Sequence, residues 1–101
     1  TSRTLVVGLL RGRDPVEMLS ALGARAATRV IAVPPPSPRA LPADEVAAAA
    51  RELGVEAEVA GAAADAVSRA LAVTDESGLV LVTGSLYLVG AARAALAKGI
   101  G

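Results

Sequence analysis

The side chains in this sequence that could do chemistry gather in three short stretches. "RGRD", residues 11–14, sets Arg11 and Arg13 beside Asp14; "SPRAL", residues 37–41, carries Arg39; "TGS", residues 83–85, ends an apolar run with Gly84 and Ser85, just ahead of Tyr87, the only tyrosine. Guanidinium groups offer paired N–H donors to planar oxyanions, and a hydroxyl or a free helix-terminal amide can add to them. The set therefore suits the binding of a phosphate or a carboxylate. It does not suit bond-making. Histidine and cysteine are absent, which removes imidazole bases, thiolate nucleophiles and the usual zinc ligands together. The one lysine is Lys98, so no G-x-x-x-x-G-K-[ST] loop exists to cradle nucleotide phosphates, and the spacing of Gly8 and Gly12 reads as a turn rather than a dinucleotide fingerprint. No catalytic residue and no metal site is assigned within the chain.

Each candidate also has an ordinary structural role. Asp14 is sufficient as a helix cap. Ser85 serves equally as a cap or as a ligand hydroxyl. Arg39 could simply tie down its loop, Arg11 and Arg13 could be solvated surface charges, and Tyr87 reads as a half-buried packing residue.

These residues depend on a regular frame. Runs rich in Val, Leu and Ile at residues 4–9, 29–33, 55–59 and 79–83 predict four buried strands. A helix is expected after each. The first opens at Asp14-Pro15-Val16-Glu17, with Asp14 as cap and Pro15 at the first helical position, and closes at Gly23. The second starts near Pro42, carries Asp44 and Glu45 in its first turn, buries Val46, Ala49, Ala50 and Leu53, and stops at Gly54. A third, over residues 62–73, is expected to bury Ala63, Val67, Ala70 and Leu71 while Asp65 and Arg69 face water; residues 74–78 follow as a polar loop. A last helix, capped by Ser85 and stopped at Gly99, should bury Val89, Ala92 and Leu96. The proline-rich residues 34–42 predict a stiff, extended connection.

Strands alternating with helices imply parallel pairing through right-handed crossovers, hence a three-layer α/β Rossmann-like domain with a mainly parallel sheet, four strands and four helices. In such a sheet, ligands bind beyond the carboxyl ends of the strands. The loops carrying Arg11, Arg13, Asp14, Arg39, Gly84 and Ser85 all fall on that edge.

Composition narrows the partners. The chain has 101 residues, 53% of them hydrophobic, which fits one domain with a real core. Ten basic residues balance ten acidic ones, and a single aromatic residue leaves bases almost nothing to stack on, so nucleic acid is not expected as a partner. No apolar run approaches the roughly 20 residues that span a bilayer. A cytoplasmic setting without membrane contact is the expectation.

Three motifs carry a family resemblance. "LVLVTGSLYLVGAAR" (residues 79–93) resembles the closing signature of the folylpolyglutamate synthase and dihydrofolate synthase family, "SPRAL" (37–41) resembles that family's loop after the preceding strand pair, and "VVGLLRGRDPVEML" (6–19) is similar to its strand that ends in a Lys-or-Arg-Asp-Pro turn. They occur in the family's order and cover nearly the whole chain. The resemblance implies the C-terminal domain of a Mur ligase superfamily enzyme that joins L-glutamate to a folate or dihydropteroate with ATP and Mg2+, through an acyl phosphate. The P-loop, the magnesium ligands and the folate site would then lie mainly in an N-terminal ATPase domain that is missing here. The family's first C-terminal strand and its Asp-Gly-Ala-His-Asn-Pro segment would also be missing, and the fragment would be inactive alone. By the same resemblance Ser85 would contact the glutamate carboxylate, with Arg39, Asp14 and Gly84 framing the cleft. An unpaired sheet edge would also leave dimerisation open to the fragment. Two alternatives stand beside this: a free-standing α/β module that binds small anions or a partner without catalysis, and a Mur-type ligase acting on cell-wall precursors.

Overall fold

Alternate residues of the central strand point into two different cores, and this organises the whole domain. The computed structural model describes residues 2–74 and 78–84. Along the chain run β1 (Arg3–Gly8), α1 (Pro15–Ala21), a short 3-10 turn (Ala24–Ala26), β2 (Arg29–Ala32), α2 (Ala43–Glu52), β3 (Glu56–Val59), α3 (Ala63–Val73) and β4 (Leu79–Gly84). The four strands form one sheet in the order β3-β2-β1-β4, and every pairing is parallel. The expected α/β layered fold is present. The fourth helix, with Val89, Ala92, Leu96 and its stop at Gly99, lies outside the described residues, as do Ser85 and Tyr87.

Leu5 and Val7 of β1, with Val30 and Ala32 of β2, pack against Leu19 of α1 and against Val46, Ala47, Ala49 and Ala50 of α2. Val6 and Ile31 point the other way, onto Ala66 and Ala70 of α3, with Val80 and Val82 of β4 beside them. Strands buried on both faces read as continuous apolar runs, as parallel sheets do. Alanines dominate the inner helix faces, and Ala47, Ala50, Ala66 and Ala70 are completely buried.

The helix boundaries follow their local signals. Asp14 Oδ1 accepts from Val16 N at 3.1 Å, Pro15 is the first helical residue, and Gly23 takes φ 84° beyond the helix end, a conformation that favours glycine. The second helix ends likewise on Gly54, at φ 82°. The 3-10 turn that follows was not expected. It buries Ala24 and leads directly into β2.

Two details of α3 differ from expectation. Leu71 is 44% exposed, because the buried stripe of the helix runs through Ala66, Val67 and Ala70 and the next residue swings off it by one helical step. Arg69 does not simply face water: its Nε donates to Glu58 Oε1 at 2.7 Å. Arg29 joins from the neighbouring strand, with Nη1 donating to Glu58 Oε2 at 3.0 Å and Nη2 lying 3.5 Å from Glu56. The hydrogen bond from Arg69, opposed by partial burial and supported by Arg29, holds the Glu58 carboxyl below its ordinary value. Among the described residues, no helix is long and apolar enough to cross a membrane.

Two predictions follow from this packing. A carboxyl held low in the folded state contributes stability above its unfolded pKa of about 4.3 and loses that contribution as pH falls through the folded value. Thermal melts of Glu58→Gln should therefore lie roughly 2–4 °C below the wild type at neutral pH, and the two should converge in acid; a constant gap down to the acid limit would refute the assignment. At Gly78 a Cβ would sit 2.5 Å from Thr74 Cγ2, 2.6 Å from Ser2 Oγ and 2.7 Å from the Ser2 carbonyl oxygen. That oxygen also accepts from Leu79 N at 2.9 Å, so it cannot move without releasing β4. Gly78→Ala should cost about 1–3 kcal/mol in chemical denaturation.

Candidate functional site

Parallel register brings the carboxyl ends of β2, β1 and β4 level. Val7 pairs with Ala32, and Gly8 pairs with Gly84. The chain leaves β1 towards β2 and β3 on one side, then crosses to β4 on the other. The sheet order therefore reverses between β1 and β4, the position at which open α/β sheets form a ligand crevice. Two glycines face each other there. Neither residue carries a Cβ, and Gly8 is buried at this end of β1.

Above this point the loops after β1 and β2 are joined. Leu10 and Ala40 form an antiparallel bridge, flanked by Arg11 N donating to Arg39 O at 2.9 Å and Leu41 N donating to Leu9 O at 2.8 Å. Leu9 and Leu41 are buried and root both loops in the core. Arg11, Arg13 and Arg39 stay exposed.

The proline segment corrects one expectation, for it is not extended throughout. Ala40 N donates to Ser37 O at 3.1 Å, and Arg39 N donates to Ser37 Oγ at 3.2 Å, so residues 37–40 close a tight turn. The physical reason was in the sequence: serine at the first position and proline at the second are favoured in such turns, and proline fixes φ without forcing an extended chain.

The predicted residues thus separate. Asp14 caps α1 with its own carboxylate and sits on the same edge. Arg39 is brought against the Arg11 backbone, and Gly84 ends β4 opposite Gly8. Ser85 lies outside the described residues. No group of three or more His, Cys, Asp or Glu among the described residues could hold a metal. A separate open hollow of about 590 Å³ lies by β3, lined by Arg29, Arg51, Glu56 and Glu58. Its charges are already engaged: Arg29 lies on both glutamates, and Arg51 donates to Ala57 O at 2.9 Å. The carboxyl edge is the better candidate, because among the described residues its guanidinium groups have no hydrogen-bond or ion-pair partner.

No protein-family model matches the chain, and no curated protein matches it. Solved structures do. A bifunctional folylpolyglutamate synthase/dihydrofolate synthase from Yersinia pestis, complexed with AMPPNP and a Mn ion, superposes with a TM-score of 0.79 at 28% identity over 95% of this chain. This chain resembles one segment of that enzyme. A second structure of the Yersinia pestis protein gives the same values, and E. coli FolC in complex with DHPP and ADP shares the fold, with a TM-score of 0.81 at 24% identity over 97% of this chain. The chain spans only 22–23% of the length of these folate ligases.

The cap on α1 can be tested directly. Asp14→Ala should lower stability by about 1 kcal/mol, while Asp14→Asn, which keeps an acceptor oxygen, should recover most of the loss in urea titrations; equal losses would assign Asp14 a role other than capping.

Proposed function

We propose that this chain is the C-terminal substrate-positioning domain of a cytoplasmic ATP-dependent ligase that adds L-glutamate to folates. The parent enzyme would be a tetrahydrofolylpolyglutamate synthase, with dihydrofolate synthase activity as a second capacity. The observation that carries this reading is the superposition of 95–97% of the chain on 22–23% of folate ligases solved with nucleotide. It is supported by Thr83 and Gly84 ending β4, where the sheet order reverses.

In such an enzyme the folate-linked carboxylate takes the γ-phosphoryl group of ATP, giving an acyl phosphate and ADP. The glutamate amine then attacks the acyl carbon, a tetrahedral intermediate collapses, and phosphate leaves as the amide forms. This chain has no lysine in a phosphate loop and no histidine, and its described residues do not fit a Mg2+ site. In this reading ATP and Mg2+ are bound mainly by an N-terminal ATPase domain. The contribution of this domain is geometric: closing over the cleft, it holds glutamate in line with the acyl carbon and keeps water from the acyl phosphate. Ser85 would donate to the glutamate carboxylate, while Gly84, Arg39 and Asp14 frame the cleft.

Ser85→Ala in the intact ligase should raise the KM for glutamate about tenfold or more while leaving that for ATP nearly unchanged; equal changes, or none, would reject the role of Ser85. The 101-residue chain alone should not hydrolyse ATP. An upstream reading frame without a P-loop domain would instead favour a free-standing anion-binding module.

A further inference from the structure

We infer that Arg11 and Arg39 together form an oxyanion-binding pair, an inference that rests on reading the carboxyl edge as ligand-facing. The decisive feature is the bridge. Hydrogen bonds from Arg11 N to Arg39 O and from Leu41 N to Leu9 O bracket the Leu10–Ala40 pair. Antiparallel pairing makes Arg11 and Arg39 the next partners beyond the bridge, and the 2.9 Å hydrogen bond from Arg11 N to Arg39 O holds their backbones together. Like charges directly opposite each other are unfavourable. A fold that needed only a clasp would be better served by a carboxylate at one of the two positions.

Among the described residues no carboxylate relieves them, and neither guanidinium has a hydrogen-bond or ion-pair partner. The nearest acid in sequence, Asp14, gives Oδ1 to the α1 cap. Arg29, Arg51 and Arg69, in contrast, all donate to protein oxygens. The spacing of the pair is set by main-chain bonds, by the Ser37 hydroxyl on Arg39 N, and by buried Leu9 and Leu41. Nothing in that support uses the guanidinium groups. An oxyanion seated between them replaces a repulsion with charge-assisted hydrogen bonds on both sides. The chemistry fits a phosphoryl group or a carboxylate, and the planar fork of arginine suits both.

The test is a titration of the chain at low ionic strength with inorganic phosphate and, separately, with acetate, following the arginine Nε–H resonances and the thermal midpoint. Saturable shifts at Arg11 and Arg39 are expected, with affinity falling about tenfold in Arg11→Gln and in Arg39→Gln. Arg25→Gln, in the 3-10 turn at the amino end of β2, should bind as the wild type does. Tighter phosphate binding would support a phosphoryl ligand, and tighter acetate binding a carboxylate. Should a glutamine variant unfold, Arg11→Lys keeps the charge without the fork and should still bind more weakly than the wild type. No saturable binding of either anion, or binding that persists in both glutamine variants, overturns the pair. Because the titration needs neither ATP nor folate, the anion pair can stand where the ligase reading fails, and a working ligase with a silent titration rejects the pair alone.

Discussion

The burial of β1 between two strands and two helix layers is the constraint on which the rest of the structure depends. Val6 and Val7 are fully buried on opposite faces of the sheet, so a slip of one residue would exchange the two cores and leave neither filled. That register fixes β2 and β4 against it, and therefore fixes where Gly8, Ala32 and Gly84 end. The carboxyl edge is level because the core permits no other alignment. Alanine at the helix contacts adds to this: small side chains let α2 and α3 lie close to the sheet, and close packing resists sliding.

Much of this was legible in the sequence. The strand runs and the Asp14-Pro15 start, like the glycines at 23 and 54, each have a strong local cause, so they appear where expected. Local causes do not decide which side of α3 faces the sheet at its end. Leu71 matches a helical spacing from Val67 yet lies beside the stripe that the sheet selects, so tertiary packing overrode the pattern. Arg69 shows the same limit from the electrostatic side. Its sequence neighbour at a spacing of four is Asp65, but Glu58 on β3 is held by Arg29 as well and offers a better-placed carboxylate.

The site divides along a similar line. That Arg39 and Asp14 share an edge follows from strand order alone. The contact between the loops after β1 and β2 does not, because a single antiparallel bridge between two irregular segments leaves no periodic trace. Only the turn chemistry of Ser37-Pro38 hinted that the second loop bends back. The edge of β3 is a further case: the outward Ala57 carbonyl is covered by Arg51 from α2, a guard on an open strand that sequence spacing does not announce.

What distinguishes the carboxyl edge is how its geometry is paid for. At the α1 start the structural task uses the side chain, and Asp14 is consumed by its cap. At the bridge it uses the main chain, and among the described residues nothing engages the guanidinium groups of Arg11 and Arg39. A surface charge held on a mobile loop loses entropy when it binds, and that loss weakens recognition. A charge carried on a backbone already fixed by its neighbours loses less. Positions of the second kind are those at which a fold can recognise a ligand without unmaking itself, and here they lie beside the paired glycines where the sheet reverses its order.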